Sequence, residues 1–224
     1  MSIKNKKKTF KKIICNPGIN KTKKKNFCLK NKNILLTLRN RYNYRHPDSK
    51  IISSNLNIIH NKLKDKLSNL CYEERCWISS LMKPKHHKII NKYFAPAFPK
   101  EWKKNKNTWL NSLDISRVMK QYEDTYKNFR FLGPSPIDFN TIKNNICIYP
   151  EICNLDLSHM RQRGIDKIGI IFNTDYHYET GSHWICFFIN LKKNIFFYFD
   201  SNGDKRQKEI KELFDKLKCG EKKL

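Results

Sequence analysis

The chain has 224 residues and a formal net charge of +26, from 46 Lys and Arg against 20 Asp and Glu. Its length corresponds to one or two domains, and hydrophobic residues make up 39% of it, enough for one substantial core. Its longest apolar runs, Ile185–Ile189 and Ile195–Phe199, are far shorter than the roughly 20 residues of a membrane-spanning helix. The sequence therefore excludes a transmembrane protein, and no membrane partner is expected.

The N-terminus is basic, with Lys4, Lys6, Lys7 and Lys8. No apolar segment of about seven residues follows it, as a secretory signal peptide would require. We therefore expect an intracellular chain, and the eight cysteines are predicted to be reduced thiols rather than a disulfide framework.

The positive charge is concentrated in the first half of the chain. Residues 1–50 carry 16 basic residues and one acid, Asp48. Such a segment repels itself and buries little apolar surface, which predicts a basic, mostly disordered arm over residues 1–50. Two interpretations stay open: the arm attracts nucleic acid by counterion release, or a Lys- and Asn-rich composition merely reflects an AT-rich genome. No nucleic-acid-binding motif accompanies the arm.

Residues 51–100 are predicted to form a helical N-terminal extension and a linker. Aliphatic residues between Ile51 and Leu70 recur at spacings compatible with an amphipathic helix. Ala95–Lys100, which contains two prolines, is typical of a linker. The spacing of Cys71 and Cys76 is long for a zinc knuckle and no second cysteine pair completes a ligand set. These cysteines are therefore interpreted as packing residues, and no metal is predicted.

Residues 101–224 are predicted to form one α+β domain. Trp109–Tyr126 has apolar residues within helical reach and neither Pro nor Gly, which predicts a helix. Phe129–Phe139 contains Gly and Pro and is predicted to be a loop, whereas Ile168–Phe172 is typical of a buried strand. Arg206–Lys218 has apolar residues at i, i+3, i+4 and i+7, which predicts an amphipathic helix.

The segments His183–Asn190 and Ile195–Phe199 are predicted to form an antiparallel hairpin. A loop at residues 190–193 would pair residues whose numbers sum to 383, as those of His183 and Asp200 do. Directly opposed residues have Cβ atoms about 4.5–5.5 Å apart, and a shift of one or two residues would keep the side chains within reach. A carboxylate there can hold one imidazole nitrogen and leave the other free, which is the orienting half of a nucleophilic triad. Alternatively, the two residues only cap the strand ends.

Three short motifs resemble those of a known family. Gly181-Ser182-His183-Trp184, followed by Tyr198-Phe199-Asp200-Ser201, resembles the His-Trp and Asp-Ser motifs of the ubiquitin-like-protein (SUMO) and adenovirus-type cysteine proteases. Trp109-Leu110-Asn111-Ser112 resembles the family's Trp-Leu-Asn-Asp motif, with Ser112 in place of the Asp. The surrounding sequence is similar to thiol-protease-like proteins of nucleocytoplasmic large DNA viruses.

The resemblance implies an α+β, papain-like cysteine protease fold of the SUMO-protease and adenain type, without a cofactor. His183 would be the general base that activates a cysteine thiol, and Asp200 would orient His183. Trp109 and Trp184 would form a narrow tunnel around a Gly-Gly segment of a polypeptide substrate. The alternative for both tryptophans is ordinary core packing.

The chain departs from the family after Asp200. The family has a Gln that helps to form the oxyanion hole, followed within a few residues by Cys-Gly at the start of a helix. Here Gln207 and Cys219 lie 12 residues apart, and Cys219 falls at the end of a predicted helix, where the helix dipole disfavours a thiolate. Residues 101–224 are therefore interpreted as a C-terminally truncated protease domain with weak activity or none. Its apolar face around Ile185, Phe187 and Phe197 is expected to be exposed.

The function predicted from the resemblance is thiol-dependent processing of a viral polyprotein at Gly-Gly-type sites during virion maturation, in the host cytoplasm or the virion. An enzymatic alternative is a deconjugase for a ubiquitin-like modifier. The non-enzymatic alternative is a basic protein that binds nucleic acid or the virion core on a decayed protease scaffold. The cleavage motif, the physiological substrate and the oligomeric state do not follow from the sequence.

Overall fold

The computed structural model describes residues 15–19, 27–71, 73–84 and 88–221, with only the backbone described for residues 220 and 221. The chain divides into two compact units, Met1–Ala97 and Phe98–Leu224. In the described ranges, none of the helices has the length and apolar character needed to cross a membrane.

The first unit is helical in its described part. Its helices are α1 (Lys32–Arg45), α2 (Leu56–Leu67), α3 (Glu74–Leu81) and α4 (Lys88–Tyr93), with a 3-10 turn at Pro47–Ser49. The side chains of Asn31 and Asn55 cap α1 and α2 by accepting hydrogen bonds from the first backbone N–H groups of each helix. Fully buried residues of all three longer helices form one core: Leu35, Leu38, Ile59, Leu63, Trp77 and Ile78.

The structure corrects the prediction of a disordered arm for the part of residues 1–50 that it describes. Helix α1 buries Leu35, Leu38 and Tyr42 against α2 and α3, and Cys28 and Leu29 are buried as well. These few apolar residues bury enough surface to order a segment whose basic residues lie on the outside. Residues 1–14 and 20–26 lie outside the described residues.

Six of the eight cysteines form disulfides in the structure, so the prediction of reduced thiols is wrong for them. The pairs are Cys15–Cys28, Cys71–Cys76 and Cys147–Cys153. An isolated β-bridge between Cys15 and Phe94 holds the first pair near the core. The second pair joins Cys71, in the short connection between α2 and α3, to Cys76 within α3. The redox state was predicted from the expected compartment alone, and the sequence does not show which cysteines folding brings close together.

The second unit is the α+β domain that the sequence predicts. Its elements in chain order are α5 (Ser112–Thr125), β1 (Phe129–Pro136), β2 (Ile142–Lys143), β3 (Ile146–Cys147), α6 (Pro150–Cys153), α7 (Leu157–Gln162), β4 (Lys167–Asn173), β5 (Trp184–Asn190), β6 (Ile195–Phe199) and α8 (Lys208–Glu221), with a 3-10 turn at Lys100–Lys103. Asn111 begins α5 with a capping box that it shares with Asp114, so Trp109 precedes the helix.

The main sheet has the strand order β1-β4-β5-β6. Strand β1 pairs parallel with β4, and the other pairs are antiparallel. The predicted loop at Phe129–Phe139 is therefore mostly strand β1. The prolines are tolerated because β1 lies at the sheet edge and carries an irregularity between Leu132 and Ser135.

One face of this sheet is packed against α8. Ile185, Phe187 and Ile189 of β5 are fully buried in one core with the apolar face of α8, which comprises Ile210, Leu213 and Leu217. The expected exposure is therefore wrong for Ile185 and Phe187, because α8 covers them. Phe197 points to the other face and is 50% exposed.

Candidate active site

His183 and Asp200 meet at the open end of the β5–β6 hairpin. Nε2 of His183 lies 2.6 Å from Oδ1 of Asp200. The Asp200 side chain is 4% exposed, whereas that of His183 keeps 19% exposure. The predicted contact between the two side chains is therefore confirmed, and the imidazole remains open to a ligand.

The hairpin register differs from the predicted one by two residues. Cys186 pairs with Phe199 and Asn190 pairs with Ile195, so paired residues sum to 385 rather than 383. The turn occupies residues 191–194, one residue later than predicted, and Asn194 closes it with a φ of 51°. A two-residue shift keeps His183 and Asp200 on the same face and makes them diagonal neighbours, which long side chains can bridge.

Asp200 is held as a carboxylate by three donors. Besides His183, the backbone N–H of Asn202 donates to Oδ1 at 2.8 Å, and the hydroxyl of Tyr198 donates to Oδ2 at 3.4 Å. The hydrogen bond from His183 is the largest contribution that lowers the pKa of Asp200, and burial opposes it. Burial, followed by the negative charge of Asp200, raises the pKa of Tyr198. Asp200 is thus fitted to accept the Nε2 proton of His183.

A second His–Asp pair, His177 with Asp138, lies in the same unit. Nδ1 of His177 is 2.6 Å from Oδ2 of Asp138, and Nε2 of His177 is 2.7 Å from Nζ of Lys143. Both ring nitrogens of His177 are therefore engaged. In the part of the chain that the structure describes, no hydrogen bond occupies Nδ1 of His183. Of these two histidines, His183 is therefore the one that keeps a ring nitrogen free, as a general base needs.

The turn before β5 places His183. Asn173 at the end of β4 accepts hydrogen bonds through Oδ1 from the backbone N–H groups of Asp175 and Ser182. Gly181 passes over this side chain with a φ of +88°, and a Cβ there would collide with the amide of Asn173. The glycine before Ser182 and His183 is thus required both by its backbone conformation and by the close approach of Asn173.

Trp109 and Trp184 line one cleft of about 470 Å³. Trp184 donates from Nε1 to the carbonyl oxygen of Leu110 at 3.0 Å, which joins β5 to the segment before α5. Trp109 is 57% exposed, so it is not a core residue. Strand β1 contributes Pro134 and Pro136 to the cleft.

The structure does not bring a cysteine of the described chain to His183. Cys186 lies within β5, where burial raises the pKa of its thiol. Cys219 is exposed in the last turn of α8, so a helix N-terminus does not stabilise its thiolate. Gln207 immediately precedes α8, and its Oε1 is buried without a hydrogen-bond partner among the described residues.

The residues that support the cleft were not predicted from the sequence. Asp138 accepts hydrogen bonds from both the backbone and the ring of His177, 39 positions away, and Asn173 and Asp175 fix the turn before His183. The only local signal is the Asp-Phe-Asn turn chemistry at residues 138–140, which predicts a turn but not its partner.

Comparisons with known proteins find relatives among cysteine proteases. Residues 161–221 match the sequence profile of the Ulp1 protease family, C-terminal catalytic domain. The chain is 26% identical to R355 of Acanthamoeba polyphaga mimivirus, which is named as a candidate thiol protease. The aligned region has 179 residues and covers 78% of this chain. The chain spans 58% of the length of that relative.

The fold is similar to that of a solved viral protease. The crystal structure of the selenomethionine-labelled ASFV pS273R protease superimposes with a TM-score of 0.58 and 17% sequence identity, over 94% of this chain and 73% of that protein. The matched segment 161–221 contains both His183 and Asp200. Residues 161–221 are therefore similar to the catalytic domain of the Ulp1 protease family, and the chain has an α+β fold of the same type as the viral protease.

Proposed function

We propose that the second unit provides the general base and its orienting carboxylate for a thiol protease. The observation that carries this proposal is the 2.6 Å contact between Nε2 of His183 and Asp200, which leaves Nδ1 free. Nδ1 takes the proton of a cysteine thiol, and the thiolate sulfur bonds to the carbonyl carbon of the substrate peptide. The imidazolium then returns the proton to the leaving amine as the C–N bond breaks. Water hydrolyses the resulting thioester and regenerates the thiol.

Asp200 acts in this sequence through His183. Its carboxylate fixes the Nε2–H tautomer and stabilises the imidazolium that forms when the thiol is deprotonated. Its low exposure and its three donors keep it ionised and in place. The thiol is not assigned to Cys186 or Cys219, because the structure places neither at the free nitrogen of His183.

The proposed substrate is a polypeptide with a Gly-Gly-type cleavage site. Trp109 and Trp184 line the cleft together with Pro134 and Pro136 of β1, and these four side chains make much of its surface apolar. Glycines suit such a site because flat indole rings leave little room for side chains. A viral structural polyprotein is favoured over a ubiquitin-like conjugate because the relatives described above are both viral.

A second candidate function, nucleic-acid binding, belongs to the first unit. Residues 1–97 carry 24 Lys and Arg against 4 Asp and Glu, and one of these acids, Glu74, is buried with His60. The unit can therefore attract phosphates by counterion release. Electrophoretic mobility shifts with an arbitrary duplex at about 50 and 200 mM salt test this proposal. Binding that does not weaken with salt would contradict it.

The protease proposal is tested by turnover of a Gly-Gly fluorogenic peptide. The 224-residue chain and the longest polypeptide that its reading frame encodes are assayed with and without iodoacetamide. Where turnover occurs, His183→Ala and Asp200→Asn should each reduce it at least about 100-fold, in the range of general-base effects. His159→Ala, an exposed histidine on α7, is the matched control. Thiol-sensitive turnover that survives His183→Ala would refute the proposal.

A further inference from the structure

The cleft beside Trp109 and Trp184 carries a charge opposite to that of the chain. Of the residues that the structure describes as lining it, Asp175 and Glu179 are acidic and none is Lys or Arg. The whole chain has 46 Lys and Arg against 20 Asp and Glu. A basic peptide approaching this protein would be repelled over most of its surface and attracted at this cleft.

The two carboxylates each keep an oxygen for a ligand. Asp175 accepts hydrogen bonds from the hydroxyl groups of Ser182 and Thr174 through Oδ1. Glu179 accepts from the backbone N–H of Tyr176 through Oε2 at 2.7 Å. In the described ranges, neither carboxylate forms an ion pair, and the hydrogen bonds fix both side chains through their other oxygens.

The neighbouring charged residues leave the cleft negative. Behind the cleft wall, Asp138 and Lys143 contact His177 from its two sides and offset each other. With His177 neutral, the formal charges of Asp138, Lys143, Asp175 and Glu179 sum to −2. Both acids lie on the loop between β4 and β5, which also leads into His183, so their charge lies on the segment that carries the base.

We propose that Asp175 and Glu179 are specificity-determining residues that favour a Lys or Arg side chain next to the Gly-Gly segment of the substrate. The inference rests on the proposed function of the cleft and adds a substrate class to it. A cationic side chain gains Coulomb attraction from the two carboxylates, whereas an acidic one is repelled. The partially exposed position of the pair predicts a modest and salt-dependent preference.

Peptide binding to the 224-residue chain tests the proposal without any turnover. Three acetylated tetrapeptide amides end in Gly-Gly and begin with Lys-Lys, Gln-Gln or Glu-Glu. Indole N–H signals of Trp109 and Trp184 are followed by NMR at low salt. We expect the Lys-Lys peptide to bind about fivefold tighter than the Gln-Gln peptide and the Glu-Glu peptide to bind most weakly. Asp175→Asn with Glu179→Gln should abolish this order, so that the three peptides bind with similar affinities.

The outcomes separate this proposal from the function on which it rests. Two outcomes would overturn the charge preference: equal affinities of the wild type for the three peptides, or an equal loss of affinity for all three in the double variant. In either case the cleft would still be a peptide-binding site. Binding that shifts neither indole signal would overturn both. Glu212→Gln on α8 is the matched control, because its carboxylate is exposed and does not line the cleft.

Discussion

Asp200 lies diagonal to His183 across the β5–β6 hairpin, and their side chains still meet at 2.6 Å. The register would place Ile185, not His183, opposite Asp200. In this diagonal arrangement Nε2 of His183 contacts the carboxylate, and among the described residues no hydrogen bond occupies Nδ1. His183 is the candidate base because of this side-chain contact and not because the two residues are paired across the strands.

The pKa of Asp200 should report its contact with His183. His183→Ala removes the group that lowers this pKa most, so the pKa of Asp200 should rise. A carboxyl with a lowered folded-state pKa stabilises the fold above its unfolded pKa of about 4 and loses this contribution as the pH falls through the folded pKa. The stability difference between the wild type and His183→Ala should therefore shrink below about pH 4, as measured by urea unfolding.

Carboxyl carbon NMR gives the matching direct readout for Asp200. His159→Ala should leave the Asp200 titration unchanged, since His159 lies on α7. An Asp200 titration that is identical in the wild type and in His183→Ala would contradict the proposed pairing.

Gly181→Ala should destabilise the turn that carries His183. The variant combines a left-handed backbone conformation with a collision against Asn173, and we expect a loss of about 1–3 kcal/mol in the free energy of unfolding. Gly164→Ala separates the two effects, because Gly164 also has a positive φ but nothing lies near its Cβ position. Equal losses in the two variants would show that Asn173 contributes no steric constraint.

Cys219 should behave as an ordinary exposed thiol. We expect little or no peptidase activity from the 224-residue chain, and Cys219→Ala should leave it unchanged, because Cys219 lies in the last turn of α8. A disulfide-exchange reagent should label Cys219 faster than the partly buried Cys186, whose pKa is raised. Robust turnover that disappears in Cys219→Ala would restore Cys219 as the nucleophile.

The two faces of the sheet should respond differently to truncation. Phe187 is fully buried against α8, so Phe187→Ala should cost about 3–5 kcal/mol of unfolding free energy. Phe197 is 50% exposed on the other face, and Phe197→Ser should change stability by less than about 1 kcal/mol while reducing the binding of a hydrophobic dye. A large stability loss in Phe197→Ser would show that this face is covered.

Helix α1 should resist trypsin despite its basic residues. Arg39 and Arg45 donate hydrogen bonds to the backbone oxygens of Ser53 and Ser80, and the helix packs its apolar side into the core. Limited digestion followed by mass spectrometry should therefore show slow cleavage after both residues. Rapid cleavage there under native conditions would restore the prediction of a disordered arm over this segment.

The strongest sequence signals correctly predicted the β5–β6 hairpin and the contact between His183 and Asp200. Strand β6 has the predicted bounds, and β5 begins one residue after His183. The predicted register was wrong because the turn lies one residue later than the predicted loop, with Asn194 in a left-handed conformation at its end. Strand β1 was not predicted, because prolines such as Pro134 and Pro136 usually indicate a loop. They fit here because β1 is an edge strand, where a proline that lacks a backbone N–H is tolerated. The pairing of Asp138 with His177 joins distant segments, and local patterns carry no information on such a contact.

The tautomer of His183 tests the central claim most directly. Long-range ¹H–¹⁵N NMR of the ring at neutral pH distinguishes a protonated Nε2 from a protonated Nδ1. The structure predicts that Nε2 carries the proton and donates it to Asp200, that Nδ1 is unprotonated, and that Asp200→Asn disturbs this preference. A proton on Nδ1, or a tautomer that does not respond to Asp200→Asn, would contradict the assignment of His183 as the oriented base.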